Sequence, residues 1–254
     1  MRKKRRRSKR GSGMPIVFAV LALLMIAAFV LFRFVFVVRN VDTTGSFSLS
    51  REEITRAAGI RFNGSIFRVD TDAIARNVNA LGTVGVDDVQ LVYPSTVRIQ
   101  AHDRIKQAMF VFSSGVTVLD EEGFAVARMM EVPNEDLLYI SGLHARECRV
   151  GERVDAQEGQ IEAYSTVVQA LNRNSVKSYA SELNLDDVNN MYILTRNGIT
   201  VLLGNADNMY NKIAWMKGAI LDLEARKQYG GTLDVQSGTK ADYTARTAAA
   251  SAGN

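Results

Sequence analysis

The sequence predicts an α+β protein in three parts: one membrane-spanning helix, a small β-α-α-β-β module, and a β-rich domain with flanking helices. Three observations carry this reading. An uncharged apolar stretch follows a dense basic run. Two short amphipathic helices sit between a first strand and a hairpin. Beyond them, short alternating strands recur between turn residues and are interrupted by two longer stretches of helical periodicity.

Eight of the first ten residues are Lys or Arg, and Pro15 to Phe32 contains no charge. About 20 apolar residues at roughly 1.5 Å rise each cross a hydrocarbon core about 30 Å thick. Residues 14–37 meet that length, with Arg33 near the far end, where its long side chain can reach the interface. Basic residues stay on the cytoplasmic side, so residues 1–13 are expected to form a cytoplasmic tail and the bulk of the chain to lie outside. A cleaved secretory signal also has a basic head, but its apolar core is usually about 7–15 residues and is followed by small residues. Here the run is longer, and Leu31 to Val38 is bulky.

Phe34 to Val41 is rich in β-branched and aromatic residues and reads as a first strand, with Asp42 to Gly45 as its turn. Ser50 with Glu53 three residues later forms a capping box ahead of Ile54, Ala57 and Ala58. Gly59 stops that helix. Ile66 and Phe67 are expected as buried anchors in the following loop. Asp70 or Thr71 starts a second helix with Ile74, Ala75 and Val78 on one face, ending at Gly82. Val84 to Tyr93 and Thr96 to Ala101 alternate around Pro94-Ser95 and read as a hairpin. Residues 38–106 are thus a module of two helices on a three-stranded sheet.

The second unit, residues 107–238, opens with short strands at Ala108–Phe112, Val116–Leu119 and Phe124–Arg128, then Leu137–Ile140. Helical spacing of Ile161, Tyr164, Val167, Val168 and Leu171 predicts a helix over 160–173. Asn197-Gly198 marks a two-residue hairpin turn between Met191–Thr195 and Ile199–Leu203. A long helix over 208–226 and a strand at Thr232–Gln236 follow. Residues 239–254 are polar and small, and Thr247 to Asn254 is predicted to be disordered.

The composition narrows the function. Apart from the eight basic residues at the start, the remaining 23 Lys and Arg are outnumbered by 27 Asp and Glu. That balance gives no basic groove for nucleic acid. The single cysteine, Cys148, excludes an intramolecular disulfide. His144 and Cys148 are four residues apart, but a metal site needs three or four ligands, and His102 beside Asp103 and Arg104 reads as a surface ion cluster. The pairs Asp87-Asp88, Glu121-Glu122 and Asp186-Asp187 read as solvated carboxylates at element ends or turns. Met209, Trp215 and Met216 read as core. No phosphate-binding glycine loop occurs. The expectation is a binding protein: no enzyme, no cofactor, no metal and no small-molecule substrate.

The order of motifs resembles the FtsQ/DivIB family of bacterial cell-division proteins. The resemblance rests on Phe36 to Val41 leading into Gly45, on Gly64 to Asp70, and above all on Tyr93-Pro94-Ser95-Thr96-Val97-Arg98-Ile99. This last segment is close to the family's P-x-T-h-x-I hairpin; His102-Asp103-Arg104 matches its usual Glu-Arg only in part. Val116 to Asp120 with Gly123, then Gly198 to Gly204, Lys212 and Leu233 to Val235 continue the match, which covers roughly residues 1–246. The resemblance implies that residues 38–106 are a POTRA-like domain and that the chain is a scaffold of the divisome, concentrated at the septum. Its implied partners are the coiled-coil proteins FtsL and FtsB/DivIC, and its implied role is to help regulate septal peptidoglycan synthesis. The alternatives are a membrane-anchored cell-wall enzyme and a POTRA-type accessory of secretion. The partner-binding segment expected on this basis is Lys240, Ala241, Asp242, Tyr243, Thr244, Ala245 and Arg246, an edge strand with Tyr243 as an aromatic anchor.

Overall fold

The apolar N-terminal stretch forms one helix, α1 (Gly13–Val35), in a computed structural model that describes residues 13–113 and 115–246. The basic run and the Ala-rich end, expected as tails, lie outside the described residues apart from Gly13. From Ile16 to Phe34 the apolar side chains given an exposure are not covered by the rest of the chain. The helix is long and apolar enough to cross a membrane, extending about 34 Å at 1.5 Å per residue.

The first folded unit comprises β1 (Asn40–Ser46), α2 (Arg51–Ala57), α3 (Thr71–Asn79), β2 (Val84–Val92) and β3 (Thr96–Asp103). The sheet order is β1-β3-β2, with β1 parallel to β3 and β2 antiparallel to it. The capping box at Ser50 and Glu53 forms as expected, and the Asp70 side chain caps α3 by accepting from the Ala73 amide at 2.9 Å. Val38, Ile54, Ile66, Ile74, Val97 and Ile99 form the core between helices and sheet.

Three expectations are corrected here. The first strand begins at Asn40, not Phe34. Phe34 and Val35 continue α1, where a helix satisfies its own backbone bonds, and the strand starts only where β3 offers a partner. Asp42 to Gly45 is therefore strand and not turn, with Asp42 paired to Arg98 at 3.1 Å. Phe67 is 50% exposed while Ile66 is fully buried; the two are adjacent in one tight turn, and only Ile66 points into the core. The Phe67 ring instead stacks on Phe32 and Tyr93, at centroid distances of 5.3 and 5.5 Å. Asp87-Asp88 is not at an element end either. It lies within β2 at a register shift between Val86 and Asp88, a bulge on an edge strand that leaves both carboxylates toward solvent.

The second unit contains β4 (Ala108–Phe112), β5 (Gly115–Leu119), β6 (Ala125–Met129), β7 (Leu138–Ser141), β8 (Ala145–Glu147), β9 (Asp155–Ala156), α4 (Gln160–Arg173), β10 (Ala180–Asn184), β11 (Met191–Thr195), β12 (Ile199–Gly204), α5 (Met209–Ala225), β13 (Gly231–Asp234) and β14 (Asp242–Thr244). Apart from the small β8-β9 pair, these strands form one sheet of order β14-β13-β12-β11-β10-β7-β4-β5-β6. One core, including Phe110, Tyr164, Leu183, Ile193, Ile213 and Leu233, runs along the sheet beneath α4 and α5.

The two units meet at a buried ion pair. The Arg104 side chain, at the end of β3, donates to the Asp120 carboxylate in the turn after β5; their side chains are 3% and 7% exposed. The other Asp120 oxygen accepts the amides of Glu122 and Phe124 at 3.0 and 2.9 Å, and the guanidinium lies 3.9 Å from the Phe124 ring centre. His102 and Asp103 do not share this contact: His102 pairs with Asp87, and Asp103 accepts from Ser48. The expected surface cluster is thus split among three sites. Close packing supports the joint. A Cβ on Gly82 would stand 2.2 Å from the Val126 carbonyl oxygen, and one on Gly151 would stand 2.0 Å from that of Asn79. Both glycines have positive φ, so neither position accepts a side chain.

Tyr164 on α4 completes the joint by donating its hydroxyl to the Asp120 carbonyl at 2.6 Å. Burial first, and then the negative charges of Asp120 and Glu121, push its pKa well above the ordinary 10.0. A group whose folded pKa is raised contributes stability that is complete below its unfolded pKa and lost as pH rises above it. Urea unfolding should therefore show a loss of stability above about pH 10 that is smaller in Tyr164→Phe. At neutral pH the same variant should cost about 1–3 kcal/mol, because the buried Asp120 carbonyl loses its donor.

Candidate partner-binding edge

Every open sheet offers two edges, each with a row of backbone groups that a further strand can pair. In the nine-stranded sheet those edges are β6 and β14. The start of β6 is already covered: the Ala125 amide donates to Glu152 at 3.0 Å, the Gly151 amide donates to Ala125 at 2.8 Å, and Phe124 bridges Arg153. No strand among the described residues pairs with the outer side of β14.

Local chemistry explains how β14 arises. Helix α5 lays Met209, Ile213, Met216, Ile220 and Leu223 on the sheet, and β13 returns parallel to β12 with Leu233 opposite Val201. The turn after Val235 closes through the Gly238 amide, which donates to the Val235 carbonyl at 2.9 Å. β14 then runs antiparallel to β13, pairing Tyr243 with Leu233. Lys212, on the buried side of α5, is satisfied by the Asn205 carbonyl at 2.9 Å and its side-chain oxygen at 3.1 Å. Burial lowers the pKa of Lys212.

Side chains alternate along the expected segment. Ala241 and Tyr243 are half-buried and pack against the core, while Lys240, Asp242, Thr244, Ala245 and Arg246 are exposed. Lys240 and Asp242 pair at 2.6 Å with both side chains in solvent, an arrangement that adds little stability. Tyr243 also has a role within the chain. Its hydroxyl donates to the Gly230 carbonyl at 2.7 Å, so the ring ties β14 to the start of β13.

The backbone has a direction as well. The Thr244 carbonyl oxygen lies 2.5 Å from where a Cβ on Gly231 would stand, so it is turned toward β13. In a strand the N–H and C=O of one residue point to the same side and alternate between neighbours. Thr244 therefore serves the chain's own sheet, and the N–H and C=O of Tyr243 face outward.

A groove of about 280 Å³ lies between α5 and β14, lined by Trp215, Gly218, Ala219, Asp222 and Tyr243 among others. Trp215 is 46% exposed. It was expected in the core, as Met209 and Met216 are, but it lies outside the stripe of Met209, Lys212, Ile213, Met216, Ile220 and Leu223 that α5 buries. A tryptophan left open beside a free edge was the signal to read differently. The other residues with chemical potential lie apart: His144 pairs with Asp186 at 2.9 Å, and Cys148 contacts the Thr117 hydroxyl at 3.6 Å. Burial raises the pKa of Cys148, which disfavours the reactive thiolate. Among the described residues no three His, Cys, Asp or Glu side chains gather as a metal site.

The family-model match with known proteins falls on the first unit, not on the one that carries this edge. The profile of a family described as "POTRA domain, FtsQ-type" matches residues 36–104. The chain carries an FtsQ-type POTRA domain. Its likeness to division proteins runs beyond that domain. It is 28% identical over 202 residues to the cell division protein FtsQ of Mycobacterium leprae, covering 79% of this chain and 53% of that protein. It is 32% identical over 85 residues to FtsQ of Mycolicibacterium smegmatis, covering 34% and 26%. It is 18% identical over 179 residues to the cell division protein DivIB of Clostridium tetani, covering 70% and 67%. The chain spans about half the length of the M. leprae relative. Among the described residues α1 is the one helix long and apolar enough to cross a membrane, and the chain is similar to the FtsQ/DivIB division proteins.

Truncating Tyr243 should loosen β14 itself. Lys240 and Arg246 flank the strand, so trypsin reports its opening. Tyr243→Ala should raise cleavage at these two sites by about tenfold, since local opening governs cleavage, while cleavage elsewhere stays unchanged.

Proposed function

We propose that this chain is a bitopic scaffold of the bacterial divisome, anchored with its N-terminus in the cytoplasm and acting outside the membrane at the septum. It binds the coiled-coil proteins FtsL and FtsB/DivIC and through them helps regulate septal peptidoglycan synthesis. The observation that carries this reading is the open backbone edge of β14 beside the groove that holds Trp215. A partner strand added there gains backbone bonds from the outward groups of Tyr243, and its side chains meet the face of α5. Kinship with FtsQ and DivIB supplies the setting. The basic run before α1 supports the orientation.

The test is capture of an FtsL–FtsB/DivIC complex by residues 36–254. Trp215→Ala should weaken binding at least about tenfold, the usual loss on truncating an aromatic anchor at an interface centre. Tyr243→Pro should do as much, because proline has no N–H for the partner strand. Truncation after Gln236 should abolish capture and leave membrane insertion of the full chain intact. Normal capture by the truncated protein would place the partner surface elsewhere.

A further inference from the structure

The membrane end of the molecule carries a second candidate site. Arg33 sits two residues before the end of α1. The chain that leaves the helix is pinned to the loop before α3: the Ile66 amide donates to the Phe36 carbonyl at 3.1 Å, the Val38 amide to Gly64 at 2.9 Å, and the Asn63 amide to Val38 at 2.9 Å. This pinning sets the loop beside the end of the helix. Between them lies a cleft of about 590 Å³ whose lining includes Arg33, Arg61, Arg68, Asn63, Ser65 and Asn77. Three arginines therefore border one cavity. Among the described residues, none of them has a carboxylate within ion-pair distance. The one carboxylate on the lining, Asp70, accepts the Ala73 amide as the cap of α3.

Next to the cleft is an aromatic patch. Phe32, Phe36, Phe67 and Tyr93 stack with neighbouring centroids 4.4 to 6.2 Å apart. Phe67 and Tyr93 remain 50% and 54% exposed, costly in water but favourable at a membrane–water boundary, where aromatic rings concentrate. Cavity and aromatic patch both include residues of the last turn of α1, Arg33 and Phe32.

We propose that this cleft holds the phosphate headgroup of an anionic phospholipid of the leaflet that α1 enters last. The inference rests on α1 being a membrane span and not on the partner assignment above. Charge selects the ligand: arginine matches phosphate oxygens with two parallel donors. The volume lies within the usual range for a small-ligand site, about 300–1,000 Å³. The aromatic patch holds the first folded unit against the lipid surface, so the loop and the helix end face the same headgroup.

Native mass spectrometry of the full chain released from nanodiscs of mixed phosphatidylcholine and phosphatidylglycerol tests this. The wild type should retain phosphatidylglycerol in preference to phosphatidylcholine. In Arg61→Gln/Arg68→Gln the retained phosphatidylglycerol should fall about tenfold, and in Arg61→Lys/Arg68→Lys it should recover only in part, because lysine keeps the charge but not the paired donors. The N-terminal basic run is present in all three proteins, so differences between them report the cleft alone. Both arginines are exposed, and an unchanged thermal transition would verify that the glutamine variant is folded. Equal retention by wild type and glutamine variant, or no preference between the two lipids, would overturn the proposal. So would displacement of the lipid by excess inorganic phosphate that binds with the same arginine dependence, since the site would then serve a soluble anion.

Discussion

The contact between Arg104 and Asp120 is the one on which the arrangement of this molecule depends. Two charged side chains are taken out of water at the point where the first sheet ends and the second begins. Such a pair is stabilising only when its remaining hydrogen-bonding capacity is met. Here the Asp120 carboxylate is met by two turn amides, and its carbonyl by Tyr164. The Arg104 Nε is buried without a partner, so the pair is a fixed joint more than a source of net stability. Loss of either partner would leave an uncompensated charge in the interior, which typically costs about 3–5 kcal/mol. The joint ties the membrane-anchored first unit to the turn after β5, and from there the long sheet runs through β4, β7 and β10 to β14.

Function is consequently read at the two ends of one connected framework. At the membrane end, the helix exit is locked to the loop before α3, and arginines and exposed aromatics gather on the same side. At the far end, the last strand is short and held by the Tyr243 hydroxyl, with the outward backbone groups of that same residue free. What both offer is surface: charge and aromatic rings at one, backbone and a tryptophan-lined groove at the other.

Much of this was legible in the sequence because local signals agreed with the final packing. Helix α4 runs over the predicted residues, Ser50 with Glu53 closed a capping box, and Asn197-Gly198 lies in the expected hairpin, though as part of a three-residue loop with Arg196 and not as a two-residue turn. Two of the strand misses come from tertiary pairing that no local pattern announces. β1 pairs in parallel with β3, so the turn-like Asp42 to Gly45 was drawn into strand. β10 lies in the middle of the long sheet, yet reads Ala-Ser-Glu-Leu-Asn with a bulge after Ala180, too polar and irregular for a period-two signal. The edge segment was visible as position but not as direction: nothing in Lys240 to Arg246 says that Tyr243 turns inward to Gly230 while its amide turns out. Trp215 was missed because an apolar residue on a long helix is read as core until the neighbouring Met216 is seen to fill that place.

The central claim is that a partner adds a strand to β14. Residue-resolved hydrogen exchange on residues 36–254, with and without the FtsL–FtsB/DivIC pair, tests it most directly. The account predicts that the outward amide of Tyr243 becomes strongly protected on binding, while Thr244, already turned to β13, changes little. Protection that leaves the Tyr243 amide unchanged and appears instead along β1 or β2 of the POTRA domain would contradict it.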